Sequence, residues 1–136
     1  MYLKNKLFII ATISLGLFTI NAKSQNRVPW ITPNICAIRA NPLKADILSL
    51  KDAKTLYVGS CGSCHGKNGK GDGIAASACN PPPADHTSNY VQSETDGSLF
   101  WKISEGRGPM PSFKNTLSEK QLWELVNYIR TLKAKT

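Results

Sequence analysis

The stretch Cys61–Gly73, "CGSCHGKNGKGDG", decides the fold. Two cysteines separated by two residues, with a histidine directly after the second, suit three chemistries: a redox dithiol, half of a zinc site, or a covalent haem anchor. A thioredoxin-like dithiol follows a buried strand inside an α/β pattern. Here the lead-in "SLKDAKTLYVGSC" places Leu50, Ala53, Leu56 and Tyr57 at three- and four-residue steps, which is helical, and no β-branched run precedes it. A zinc site needs four ligands, and Cys36, Cys79 and His86 supply no second pair at metal-ligand spacing. Haem attachment needs two thiols for the two vinyl groups and a histidine placed by the same turn beneath the iron, a requirement the stretch meets as it stands.

A second axial ligand is then required. Beyond the N-terminal segment the chain has one methionine, Met110, in "EGRGPMPSF" between Pro109 and Pro111. Prolines fix their own φ and exclude a helix interior, so this is a stiff loop holding one thioether in a set direction. Met110 is therefore the candidate sixth ligand. His86, in the polar loop "PPPADHTSN", is the competing one.

The N-terminus sets the compartment. Lys4 and Lys6 precede an apolar run, Leu7 to Ile20, and Ala22 and Ser24 supply small residues before Gln25. The pattern predicts a signal peptide, 1–24, cleaved near Ser24–Gln25, and an exported, periplasmic chain. As a helix the run would rise only about 21 Å, against roughly 30 Å of hydrocarbon core. Removing Lys4, Lys6 and Lys23 with the leader takes the net charge from +8 to +5. No groove-reading motif or arginine cluster accompanies that charge, so nucleic acid is not expected as a partner.

Taken in order, "CGSCHG", "GKGDG", "NPPPADHT", "DGSLFWKISEGRGPMPSF" and "LSEKQLWELVNYIRTL" resemble a class I c-type cytochrome, of the branch found as small exported carriers and as haem domains or subunits of respiratory complexes. The resemblance covers about residues 50–134. It implies one haem c bound through Cys61 and Cys64, with His65 and Met110 as axial ligands. It also points to the "PPP" run, at Pro81, for the carbonyl that accepts the second His65 N–H.

The residues themselves predict an all-α fold with helices over about 51–62, 96–105 and 118–133. Asp96 is the expected N-cap of the second and Gly106 its C′ residue; Ser118 with Gln121 makes a capping box for the third. Ala53 and Tyr57 are expected to meet Leu125 and Tyr128 where the first and last helices cross. Residues 66–95 read as a long irregular loop, with a short turn near Ile74 to Ser77, wrapped around the cofactor that replaces its missing core. Trp101 and Phe100 are candidates to cover haem edges, and Arg107 and Lys102 to pair with its propionates. Lys67, Lys70, Lys102, Arg107 and Lys114 together would form a positive rim for an acidic partner.

Residues 25–50 form an expected extended arm ahead of a domain over 51–136. Its apolar Val28, Trp30, Ile31 and Ile35 would dock either on that domain or on a larger complex. Cys36 and Cys79 are spare: they pair with each other, stay unpaired, or form an intermolecular link. With both axial positions filled by protein, the expected role is electron transfer and not catalysis at iron. The partners would be redox proteins, such as a quinol-oxidising complex, an oxidase or a reductase. The alternatives are a fixed cytochrome subunit of a membrane-associated oxidoreductase and, less well supported, a haem sensor or peroxidase.

Overall fold

The computed structural model describes residues 29–134. The expected signal peptide and the first residues of the arm lie outside them. Among the described residues the elements are helical: α1 (Asn34–Ala37), α2 (Ile47–Ser60), α3 (Gly62–His65), α4 (Asn89–Gln92), α5 (Asp96–Glu105) and α6 (Glu119–Thr131), with a 3-10 turn at Ala76–Ala78.

The three long helices are the expected ones: α5 has the expected bounds, and α2 and α6 differ by one to four residues at their ends. The first begins at Ile47 and not near 51. The Asp46 carboxylate accepts from the amides of Leu48 and Ser49, and Ser49 Oγ accepts from the Asp46 amide, so four more residues join the helix. Those same amide hydrogen bonds hold the Asp46 carboxyl below its ordinary value of 3.8. Asp96 is not the N-cap of α5. Thr95 caps it through Ser98 N, and Asp96 sits in the first turn, where its carboxylate accepts from Arg130 Nε at 2.8 Å. Gly106 ends that helix with φ +67°, and Ser118 with Gln121 forms the capping box of α6.

The core lies where α2 and α5 meet α6. Ala53 and Tyr57 are buried against α6, where Leu125 and Tyr128 are also buried, and the Tyr57 and Tyr128 rings are 5.1 Å apart. Phe100 of α5 stacks on Trp123 of α6 at 4.2 Å. Arg130 fastens the C-terminal end of α6 to the start of α5, donating also to the carbonyls of Gln92 and Glu94.

The arm is not simply extended, since α1 interrupts it, and it docks on its own domain. Thr95 Oγ1 donates to Ala37 O at 2.7 Å, and Asn41 Nδ2 to Asn127 Oδ1 at 2.8 Å. Arg39 lies over the Phe100 ring at 4.6 Å and pairs with Glu119. Proline-rich segments without periodicity still fold onto a core when polar groups on that core receive their backbone carbonyls. The loop 66–95 contains the expected short turn, at Ala76–Ala78, and beyond it α4, capped by Ser88, which was not expected.

Candidate haem site

α2 runs directly into the Cys61–His65 turn. Cys61 N donates to Tyr57 O at 2.8 Å and His65 N to Cys61 O at 2.9 Å, so one helical turn delivers both thiols and the imidazole to the same cavity. His65 is largely buried, and its Nδ1–H donates to Ala84 O at 2.9 Å. This corrects the expected acceptor, Pro81. The polyproline run lines the cavity, but the carbonyl that meets the ring comes three residues after Pro81. With Nδ1 so engaged, Nε2 carries the imidazole lone pair, the arrangement that orients a metal-binding histidine.

Met110 reaches the cavity from the other side of the sequence. Arg107 N donates to Met110 O at 3.0 Å and Met110 N to Arg107 O at 2.8 Å, closing a tight loop that contains Pro109. Ser112 Oγ donates to Ser104 O, and the Phe113 amide to the last carbonyls of α5, so the loop is pinned to the helix before it. Leu99, Ile103, Leu125 and Ile129 make the cavity wall apolar. Such a wall, with two thiols, an imidazole and a thioether opening onto one space, fits a haem held through Cys61, Cys64, His65 and Met110.

Burial pushes the Cys61 thiol up to about 11, with neighbouring Cys64 adding to the effect. Cys79 is also raised, by burial first and then by its contact with Cys64. Cys79 lines the cavity, with its sulfur 3.9 Å from that of Cys64. All four cysteines are free thiols, so the Cys36–Cys79 disulfide is not formed. Cys36 is held at the start of α5, where its carbonyl packs on Gly97, while Cys79 is held beside Cys64.

His86 does not face His65 across the cavity. The two rings stack at 4.2 Å and 18°, and His86 Nδ1 is 2.8 Å from the Tyr57 hydroxyl. A ring stacked on His65 is not placed opposite it. Trp101 and Phe100 are not on the cavity lining: Trp101 meets Trp30 edge-on at 6.2 Å, and Phe100 belongs to the core stack. The aromatic residues on the lining, besides the two histidines, are Trp30 from the arm, Tyr90 of α4 and Phe113. Arg107 lies over the Trp30 ring at 4.7 Å and donates to Pro29 O.

The positive rim is smaller than expected. Lys102 is largely buried and paired with Glu94 at 2.5 Å, and Lys114 is paired with Glu105 at 2.9 Å. Lys67 and Lys70 are exposed beside the Cys61–His65 turn. Sequence reasoning missed Trp30, Ala84 and Cys79 as cavity residues. Only the lone tryptophan of the arm carried any signal.

Residues 49–129 match the family model described as cytochrome c oxidase, cbb3-type, subunit III. Among solved structures, the chain is similar to the Kuenenia stuttgartiensis reducing HAO-like protein complex Kustc0457/Kustc0458. The identity is 26% and the TM-score 0.60, over 80% of this chain and 53% of that one. The chain thus spans about half the length of that neighbour. It is also similar to the KustC0563 c-type cytochrome, at 26% identity and TM-score 0.51, over 60% of this chain and 98% of that one. No curated protein matches.

Proposed function

The chain belongs to the c-type cytochrome family whose model is described as cytochrome c oxidase, cbb3-type, subunit III, and from that premise we propose that it transfers electrons through a single covalently attached, His/Met-ligated haem c. One observation carries the proposal: Cys61, Cys64 and His65 from one turn, and Met110 from a loop far along the chain, open onto the same apolar cavity. Cys61 and Cys64 would hold the group through thioethers, with His65 and Met110 as its axial ligands. Bound there, haem c supplies a one-electron couple.

The chain's own residues account for the rest. The Ala84 carbonyl fixes the His65 ring, and the loop closed between Arg107 and Met110 fixes the thioether. The apolar wall excludes water, which favours the less charged state of the iron and, with methionine as a ligand, a higher reduction potential. With His65 and Met110 both holding the group, no position would be left for a substrate, which supports a carrier in place of a catalyst. Lys67 and Lys70 would steer a brief encounter with an acidic redox partner. The sequence pattern of the N-terminus supports export to the periplasm.

A second reading, a fixed subunit of a redox complex, is favoured by Ile31, Ile35 and Ile38. They are 82%, 76% and 76% exposed on the docked arm. Purification from its own membrane and soluble fractions separates the two readings: a carrier elutes alone, a subunit with its partners.

The proposed ligation is tested by optical spectra of the purified protein, a pyridine haemochrome assay and a Met110→Ala variant. The expected result is one haem per chain and a weak long-wavelength ferric band, from methionine sulfur on iron, that the variant lacks. A chain without haem, or a wild type without that band, would overturn it.

A further inference from the structure

We propose that Cys79 is a resolving thiol for the haem-attachment turn. Before haem is attached, it forms a disulfide with Cys64 and closes that thiol to the vinyl group. The proposal rests on the reading of Cys64 as an attachment residue. Cys79 Sγ is 3.9 Å from Cys64 Sγ and 3.4 Å from Ala75 O, and both thiols open onto the same cavity.

The loop carrying Cys79 is clamped to the attachment turn. Gly73 N donates to Cys64 O at 3.1 Å and Ala75 N to Ser63 O at 2.8 Å. A Cβ at Gly73 would lie 2.2 Å from Ser63 O, so the approach needs glycine. The 3-10 turn at Ala76–Ala78 then brings Cys79 back over Cys64. A bond of about 2.05 Å needs the sulfurs to close by about 2 Å, the scale of a side-chain rotation.

The exchange balances with a disulfide-bearing oxidant of the exported compartment. The Cys64 thiol attacks that disulfide, giving a mixed disulfide and releasing one thiol. The Cys79 sulfur then attacks Cys64 Sγ, forming Cys64–Cys79 and releasing the second thiol. Two electrons and two protons pass to the oxidant. A dithiol reductant reverses the sequence and returns the Cys64 thiol, which would then be available to hold the haem as a thioether.

The test uses the full chain exported from cells that lack haem attachment. Free thiols are trapped with N-ethylmaleimide, and the peptides are mapped by mass under non-reducing conditions. The expected product links the peptide containing Cys61 and Cys64 to that containing Cys79, lighter by two hydrogen atoms than the two peptides together. Cys61→Ser should retain the link and Cys64→Ser should lose it. A dominant Cys61–Cys64 or Cys36–Cys79 link, or four alkylated thiols, would overturn the proposal. In parallel, chain made with haem attachment is assayed for haemochrome and for an alkylatable Cys79. Absence of haem there sinks the attachment reading and leaves the disulfide result standing on its own.

Discussion

A Cβ at Gly97 would lie 2.2 Å from the Cys36 carbonyl oxygen, 2.8 Å from that of Arg39 and 3.0 Å from that of Ala37. All three are backbone atoms of the arm, so no side chain can swing aside. Gly97→Ala should therefore lift the arm from α5 and destabilise the protein by about 1 to 3 kcal/mol, the usual range for overpacking. Urea denaturation of the haem-loaded protein measures this; an unchanged midpoint would mean that the arm is not held there. Nothing in the sequence distinguished Gly97 from a glycine inside any helix, because its requirement comes from residues some sixty positions earlier. The same limit hid Ala84. A carbonyl has no sequence signature, whereas the thiols, His65 and Met110 announce themselves by side-chain type.

At the scale of elements, what was legible was local. Ser118 and Gln121 cap each other's neighbouring amides within one turn, and Leu122, Leu125, Val126 and Ile129 fall on the buried stripe that follows. Ser118→Ala removes the hydroxyl that accepts from Gln121 N and should cost about 1 kcal/mol. Thermal melting should show this as a lower midpoint while the optical spectrum stays unchanged, since α6 meets the cavity more than a turn further on, at Leu125 and Ile129. A variant melting with the wild type would show that the cap is replaced by water. Where two good capping residues stand side by side, as at Thr95 and Asp96, local rules cannot choose between them. Tertiary contact decides: Arg130 claims the Asp96 carboxylate, and the threonine hydroxyl caps the helix.

Over the whole molecule, the cavity explains why so long a segment carries little regular structure. Residues 66–95 contain only α4 and one 3-10 turn, and the space they enclose is walled by Leu99 and Ile103 of α5 and by Leu125 and Ile129 of α6. The α2–α6 crossing is built from side chains alone, with Tyr57 and Leu125 almost wholly buried, whereas Leu99 and Ile103 of α5 and Ile129 of α6 also face the cavity. A bound group that fills this space contributes its binding free energy directly to folding. The chain made without haem should therefore keep part of its helix content but melt over a broad range and at lower temperature than the haem-loaded protein. Circular dichroism of both forms measures this. A haem-free chain that melts sharply at the same temperature would mean that α2, α5 and α6 form a self-sufficient core, and that the cofactor is a passenger in the fold.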